Sequence, residues 1–483
     1  MRGPGRITLG LVSHTNVGKT TLARTLLRRD VGEVRDEAHV TDTSEVHTLI
    51  ETDTATLRLY DTPGLGDTVR LLRRLRGESN PVGWLLAQVW DRLADRPLWS
   101  SQQAIRTARD ETDVVLYLVN AAEAPEHAGY VAPELDLLTW VGRPVVMLLN
   151  QTGPARPRAD LTLESRWREA ARPWSIVRDV LPLDAFSRCW VHEGVLFERI
   201  LPLLPEGQHS SMRRCAKAWN ARNLGAFRHA TARMAAYLVS TATDSEPLGG
   251  SATARLGELG TNLAGRRHAV TALRDRLERA TVALIGDLIA AQGLAGQPTA
   301  RLRESLEDFS ITDRTWLTPQ RGAALGGVAS GALGGLAADV LAGGLSFGGG
   351  VVAGAILGAL GGAGLGQGIR LVRGERVPSA SWSEPFLRDL CRRTVLRYLA
   401  IAHFGRGRGG YEEVELPDAW RVLVDESFAA ADAQLAELWQ LAARDAEARA
   451  ESEIRLDRMV GDRTRAVLAA SYPEAAHLLH DPG

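Results

Sequence analysis

The sequence predicts an α/β domain, with a mostly parallel sheet and helices on both faces, followed by an all-α domain. Short apolar runs that are typical of buried parallel strands alternate with helix-like segments over roughly the first 200 residues. From about residue 209 the pattern changes to long stretches with helical spacing, rich in Ala, Arg, Leu and Glu. One of them, "DAQLAELWQLAARDAEARAESEIRLDRMV", is expected to form a single amphipathic helix, and the turn-rich stretch "STATDSEPLGGSA" to form a linker. A glycine-rich apolar segment lies within this second part, where we expect a helical hairpin.

We therefore divide the chain into four segments. Residues 1–205 are expected to form the α/β domain, and residues 206–321 and 372–483 the two parts of the helical domain. Residues 322–371 are the glycine-rich hairpin. A chain of 483 residues is long enough for each domain to bury its own core without disulfides or structural metals.

Composition narrows the classes of partner and the compartment. The 57 basic and 58 acidic residues leave a net charge of −1, so no overall basic field points to a nucleic-acid partner, and we expect none. The three cysteines, Cys189, Cys215 and Cys391, are far apart and in no metal-binding spacing, which fits a reducing compartment. The start of the chain, "MRGPGRITLG", has no apolar signal region, so we expect a cytoplasmic protein.

The first motif is "SHTNVGKT", which lies between a strand-like run, "ITLGLVSH", and a helix-like segment, "GKTTLARTLLRRD". It matches the phosphate-binding pattern GxxxxGK[ST] except at the first position, where Ser13 replaces glycine. In this strand–loop–helix context, backbone N–H groups and the helix N-terminus form a cradle for phosphate oxygens. The nucleotide-binding residues predicted here are Ser13, His14, Thr15, Asn16, Val17, Gly18, Lys19, Thr20 and Thr21. His14 could touch the nucleotide, but we expect its side chain to point away to solvent. Lys19 would reach the terminal phosphates and the Thr20 hydroxyl would ligate Mg²⁺.

The second motif is "DTPG", which ends the alternating strand in "ATLRLYDTPGLGD". Asp61 is placed to hold Mg²⁺ through water, and the Gly64 N–H to contact a γ-phosphate. The polar stretch between the two motifs contains several hydroxyls that could close on Mg²⁺ as a switch loop. We favour Thr41 as that ligand, with Thr43 as the alternative.

The two ordered motifs, followed by the strands "DVVLYLVNAAE" and "RPVVMLLNQTG", resemble the Era-like branch of the TRAFAC-class P-loop GTPases over residues 7–204. With the glycine-rich helical half, the chain resembles bacterial GTPases that carry a C-terminal domain called DUF3482. The resemblance implies a P-loop NTPase fold, GTP and GDP as ligands, Mg²⁺ as cofactor and hydrolysis of GTP to GDP and phosphate.

The base-recognition motif departs from that family. The family has NKxD, whose Asp accepts the two ring N–H donors of guanine, but this chain has "NQTG". Asn150 and Gln151 remain predicted nucleotide contacts, whereas Gly153 has no carboxylate. GTP is favoured by the resemblance, and ATP or a relaxed specificity stays open. Asp160 or Glu164 are candidate substitutes, and "LPLDAFSRCW" stands where the family has its second base-contacting loop.

The hydrolytic machinery also departs from the Ras type. Leu65 stands where Ras-type enzymes have the glutamine that orients water, which predicts a low intrinsic rate. Some Era-like enzymes recruit K⁺ through an asparagine of the phosphate loop, and Asn16 occupies that position. The alternative is that Asn16 only tolerates a tight loop conformation. The predicted catalytic residues are Lys19, Asn16 and Gly64.

The glycine-rich segment from Gly322 to Ile369 contains 48 residues and one formal charge, Asp339. Glycines recur at every fourth position, which aligns them on one helical face. These are Gly327, Gly331 and Gly335, and then Gly350, Gly354, Gly358, Gly362 and Gly366. Two such faces can pack closely, as in membranes, and each arm is long enough to cross a bilayer. A soluble hairpin buried within the helical domain would show the same glycine-zipper pattern.

These features together predict a GTPase whose nucleotide state is coupled to a helical half. That half would associate with the inner face of the cell membrane through residues 322–371. Whether its protein partner is a second copy of this chain or a membrane protein stays open. Two other functions stay open. One is a membrane scaffold that binds nucleotide and scarcely hydrolyses it, and the other is a pore-forming or membrane-remodelling protein.

Overall fold

The computed structural model describes most of both halves of the chain. The described ranges are residues 5–28, 44–66, 68–75, 83–84, 96–152, 157–185, 189–247, 263–292, 369–372, 379–403 and 417–480. Thr41, Thr43, Gly153 and most of the predicted hairpin, residues 322–368, lie outside these ranges.

The first half alternates strands and helices. Its strands are β1 (Arg6–Ser13), β2 (Glu45–Glu51), β3 (Thr56–Asp61), β4 (Val114–Asn120), β5 (Val145–Asn150) and β6 (Val177–Pro182). Its helices are α1 (Lys19–Leu27), α2 (Thr68–Leu75), α3 (Arg96–Asp110), α4 (Val131–Val141), α5 (Pro157–Ala171) and α6 (Trp190–Ile200), and a 3₁₀ turn follows at Leu201–Leu203.

The six strands form one sheet in the order β2-β3-β1-β4-β5-β6. All neighbouring strands are parallel except the edge pair β2–β3. This architecture confirms the predicted fold class. The sequence did not predict β2, because part of this strand falls within the polar stretch that we interpreted as a switch loop.

Helices cover both faces of the sheet. Apolar side chains of α2, α3, α4 and α5 form the core against one face. The opposite face packs against α1, α6 and the first long helix of the second half. The strands β4 and β5 are buried along almost their whole length, as their continuous apolar runs predict.

The second half is mainly helical, as predicted. Its helices are α7 (Glu206–Ala242), α8 (Leu263–Ala291), α9 (Glu384–Ala402), α10 (Asp418–Phe428), α11 (Asp432–Ala442) and α12 (Ala446–Ser471), followed by a 3₁₀ helix at Pro473–Leu479. We expected one continuous helix where α11 and α12 occur. The chain breaks there because the Asp445 carboxylate accepts the Ala448 N–H at 2.8 Å and begins a new helix.

A small antiparallel sheet corrects the prediction that this half is all-α. It consists of β7 (Ser245–Pro247), β8 (Ile369–Val372) and β9 (Ser379–Trp382), in the order β7-β9-β8. The strand β7 lies in a stretch that we had predicted to be a turn-rich linker, and β8 includes the last residues of the predicted hairpin. Arg276 of α8 pairs with Asp244 and Glu246 at 3.0 and 2.7 Å and ties α8 to β7.

One apolar core joins the two halves. The helix α7 lies against β1 and β3, and its buried side chains belong to the same cluster as those of the sheet face beneath it. Within that cluster the Phe227 ring lies between those of Trp190 and Tyr398, at centroid distances of 6.2 and 5.7 Å. The Trp190 Nε1–H also donates to the Tyr398 hydroxyl at 3.3 Å. The halves therefore pack as one body rather than as separately buried domains.

The last described helix returns to the first half. Glu474 pairs with His192 and Arg199 of α6 at 3.3 and 3.5 Å. A Cβ at Gly194 of α6 would lie 2.5 Å from a Leu478 methyl group, so the two segments are in close contact. Among the helices of the described ranges, none combines the length and the apolar character needed to span a membrane.

Phe227→Ala tests the shared core. Phe227 is 1% exposed, so its truncation should lower the free energy of unfolding by about 3–5 kcal/mol. Val422→Ala is the control, because Val422 is 54% exposed and its truncation should change stability by less than about 0.5 kcal/mol. Urea denaturation followed by circular dichroism measures both variants. Equal midpoints for the two would contradict this description of the core.

Candidate nucleotide site

The phosphate loop connects β1 to α1 at the centre of the sheet, where the carboxyl ends of parallel strands form a ligand-binding edge. Asn16 and Gly18 have φ values of 64° and 98°, in the left-handed region that Gly adopts freely and Asn tolerates. The Asn16 side chain is exposed, while Val17 and Thr21 are buried beneath the loop. These residue types are thus the ones that the loop conformation requires.

Lys19 lies folded over this loop. Its Nζ donates to the Ser13 hydroxyl at 3.0 Å and to the His14 carbonyl at 3.4 Å, and the residue is 7% exposed. Burial lowers the pKa of Lys19, while the charges of Asp61 and Glu134 act in the opposite direction. Ser13, which replaces the first glycine of the motif, therefore contributes a hydroxyl that orients the lysine.

Asp61, at the end of β3, faces the start of α1. Its Oδ2 accepts the Thr20 hydroxyl at 2.8 Å, whereas its Oδ1 is buried without a hydrogen-bond partner. Burial raises the pKa of Asp61 to about 6, although Lys19 and the Thr20 hydroxyl lower it. A carboxylate and a hydroxyl are hard oxygen donors, so this pair fits Mg²⁺.

The DTPG loop is held against the phosphate loop. A Cβ at Gly64 would lie 2.7 Å from the Thr15 methyl group and 3.3 Å from Lys19 Nζ, so this position requires glycine. The Leu65 N–H donates to the Ser13 carbonyl at 2.9 Å, and the Leu65 side chain is fully buried. The side chain at the position of the Ras-type glutamine thus points into the core.

Asn150, at the end of β5, contacts two loops. Its Nδ2 donates to the Val17 carbonyl at 2.7 Å, and its Oδ1 accepts the Ala185 N–H at 2.8 Å. The side chain is fully buried, and a Cβ at Gly18 would lie 2.7 Å from its amide nitrogen. The half-buried Gln151 follows in the left-handed region with φ 60°. The asparagine of the base-recognition motif therefore positions the phosphate loop and the loop after β6.

Sequence reasoning missed Glu134, on the first turn of α4. Its carboxylate is fully buried, takes part in a hydrogen bond with His14 Nδ1 and accepts the Tyr117 hydroxyl, both at 2.8 Å. It also accepts the Thr68 hydroxyl at 3.5 Å, at the start of α2. Burial raises the pKa of Glu134, and the hydrogen bond with His14 is the largest opposing effect. No motif surrounds this residue, so only the folded chain brings it to the loop.

His14 shows a second difference from the expectation. We expected its side chain to point to solvent, but the hydrogen bond to Glu134 holds it and its ring stacks on Tyr130 with centroids 4.9 Å apart. Glu164, a candidate for base recognition, forms an ion pair with Arg168 at 2.8 Å on α5. The structure thus brings together the predicted residues of the phosphate loop, Asp61, Gly64 and Asn150.

Fold and site together define a P-loop GTPase domain. Residues 8–151 match the family model described as 50S ribosome-binding GTPase, which covers the loop, the DTPG motif and Asn150. Residues 179–470, more than half of the chain, match the model described as Domain of unknown function (DUF3482). The chain belongs to the DUF3482 family.

Similar solved structures include Era from Aquifex aeolicus bound to GDP and AlF₄⁻, with 18% identity, 42% of this chain and 58% of that chain covered, and a TM-score of 0.31. Era in complex with MgGDPNP and a 16S ribosomal RNA fragment is 19% identical, with 42% of this chain and 58% of that chain covered and a TM-score of 0.31. The SsGBP complex with GDP is 16% identical, with 43% of this chain and 52% of that chain covered and a TM-score of 0.28. This chain therefore spans little more than half the length of each. No curated protein matches the sequence significantly.

The raised pKa of Asp61 predicts how stability depends on pH. Between about pH 4 and pH 6 the folded protein holds a proton on Asp61 that the unfolded chain has released. Stability contributed by this group therefore falls as pH rises through that window, by up to about 3 kcal/mol. Urea denaturation in Mg²⁺-free buffer should show the wild type losing stability relative to Asp61→Asn from pH 4 to pH 6.5. A constant difference between the two proteins would contradict the assignment.

Proposed function

We propose that this protein is a Mg²⁺-dependent enzyme that hydrolyses GTP to GDP and phosphate, with its nucleotide state coupled to a membrane-associating helical half. The observation that carries the proposal is the convergence of Lys19, Asp61, Gly64 and Asn150 around one phosphate loop at the carboxyl edge of the sheet. Each residue stands where its chemical type is needed for a nucleoside triphosphate.

The proposed roles follow from that geometry. Backbone N–H groups of residues 15–20 and the Lys19 ammonium bind the phosphates, and Gly64 leaves room for the DTPG loop to approach them. Thr20 and Asp61 would hold Mg²⁺, which when bound offsets the negative charge of the phosphates. Thr41 remains the proposed further ligand from the switch segment.

The buried Leu65 supports a low intrinsic rate of hydrolysis, because a leucine side chain at this position cannot orient the attacking water. The exposed Asn16 next to the phosphate positions is compatible with the proposed K⁺ site, and K⁺ there would offset transition-state charge. The left-handed conformation of Asn16 accounts for the residue equally well. The same Leu65 favours the second candidate, a scaffold that binds GTP without hydrolysing it.

Coupling to the helical half is supported by a contact at the start of the switch segment. Arg28 follows the last residue of α1 as its C-cap, in the left-handed conformation and directly before residues 29–43. Its Nη2 donates to Asn223 Oδ1 of α7. From the same helix, the Thr25 hydroxyl donates to the Ala185 carbonyl at 3.1 Å. The helix that begins at the phosphate loop therefore contacts both the loop after β6 and α7.

The membrane part of the proposal depends on the sequence of residues 322–371, where glycines repeat at every fourth position and Asp339 is the one acidic residue. Arg314 and Arg321 precede this segment, and Arg373 and Arg376 follow it. Positive charge at both open ends favours a hairpin that enters from the cytoplasmic side. We place the protein at the inner face of the cell membrane on this basis.

Single-turnover hydrolysis with radiolabelled GTP tests the activity. The chain has two lysines, which gives a matched pair of variants. Lys19→Ala should abolish turnover, whereas Lys217→Ala, at an exposed position of α7, should retain it. Turnover should be several-fold faster in KCl than in NaCl, and Asn16→Asp should remove that difference. Binding of GTP with no turnover above the Lys19→Ala level would support the scaffold instead.

Vesicle co-sedimentation tests the coupling. The wild-type fraction bound to anionic vesicles should differ at least twofold between GDP and a non-hydrolysable GTP analogue. Asn223→Ala should reduce that difference, because it removes the acceptor of Arg28. The control Arg233→Ala breaks an exposed α7–α8 ion pair, Arg233–Asp287, and should leave the difference unchanged. Equal wild-type binding in both nucleotides would contradict the coupling.

A further inference from the structure

A buried carboxylate lies beside the altered base-recognition motif. Asp184, in the loop after β6, is 5% exposed, and its Oδ2 accepts the Thr152 hydroxyl at 3.4 Å. The next residue, Ala185, donates its N–H to Asn150 Oδ1 at 2.8 Å. The carboxylate therefore lies between the ends of β5 and β6, in contact with Thr152. Thr152 is two residues along the chain from Asn150, the asparagine that the family uses to frame the base.

Two other acidic side chains near these strands, Asp179 and Glu164, form ion pairs with arginines. Asp179 of β6 pairs with Arg168 and Arg199 at 2.7 and 3.4 Å. Glu164 pairs with Arg168 at 2.8 Å and is directed along α5. Asp184 contacts the NQTG segment directly, through the Thr152 hydroxyl.

A carboxylate at this place has a specific chemical use. The Watson–Crick edge of guanine presents two adjacent donors, the N1–H and the N2 amine, and a carboxylate accepts both. Adenine presents an unprotonated N1 at the same position, and the lone pair of this nitrogen repels a carboxylate. The NQTG segment has no carboxylate of its own, since Gly153 stands at the fourth position.

We propose that Asp184 is the residue that selects guanine in this protein, with its carboxylate supplied from the loop after β6. The Thr152 hydroxyl orients that carboxylate, and Asn150 fixes the loop through Ala185. This inference rests on the proposed function, because it names the base that the nucleotide site takes.

Asp184→Asn tests the inference by an exchange of specificity. An amide presents one donor and one acceptor, so it no longer matches guanine but matches xanthine, which has a carbonyl in place of the N2 amine. The dissociation constant for GDP should rise about 100-fold, and that for xanthosine diphosphate should fall by a similar factor. Asp179→Asn is the matched control, because it alters a carboxylate of β6, the strand that precedes Asp184. It should leave both dissociation constants within about twofold of the wild type.

The wild type provides a measurement that does not depend on the folding of a variant. It should bind GDP at least 10-fold more tightly than inosine diphosphate, which lacks the N2 amine, and about 100-fold more tightly than ADP. Similar binding of GDP and ADP would overturn the inference. Loss of both guanine and xanthine nucleotides by Asp184→Asn would overturn it too, because a structural role predicts that result. A wild type that binds none of these nucleotides would instead contradict the proposed function itself.

Discussion

The apolar core of this protein continues from one face of the parallel sheet into the helical half, and the rest of the structure depends on that continuity. The long helix α7 supplies part of the cover of the sheet that carries the phosphate loop. Its side chains Trp219 and Phe227 are almost completely buried, so α7 cannot separate from the sheet without exposing a large apolar area. The 3₁₀ helix after α12 returns to α6 and closes the same arrangement. Packed side chains therefore connect the sheet that carries the phosphate loop to the helical half.

The nucleotide site concentrates buried charge at the edge of this core. Burial disfavours the charged form of Lys19, Asp61 and Glu134 and shifts the pKa of each. The charge of Lys19 lowers the pKa of both carboxylates, and their charges raise the pKa of Lys19. Such clusters are typical of binding sites, where a charged ligand offsets the cost of burial. Glu134 has a further effect, because its hydrogen bonds join the phosphate loop, β4 and the start of α2. Loop, sheet and the helix after the DTPG motif are thus held in one network.

Local patterns predicted the parts of the site that depend on local structure. The strand–loop–helix around Lys19 and the strand that ends at Asp61 follow from short apolar runs and fixed motif spacing. The edge strand β2 was missed because its sequence is largely polar and only its pairing with β3 makes it a strand. Glu134 and Asp184 were missed for another reason, since contacts between distant segments place them. The short strand β7 likewise forms through pairing with β9, whose residues lie more than a hundred positions further along the chain.

Hydrogen exchange measured by mass spectrometry, with and without Mg²⁺–GDP, tests most directly the central claim that nucleotide site and helical half form one body. Ligand binding stabilises every segment that unfolds together with the site. Peptides from α1 should gain protection, and so should peptides from α7 and α12. Protection confined to α1 and the DTPG loop, with unchanged exchange in α7 and α12 at saturating nucleotide, would contradict the account.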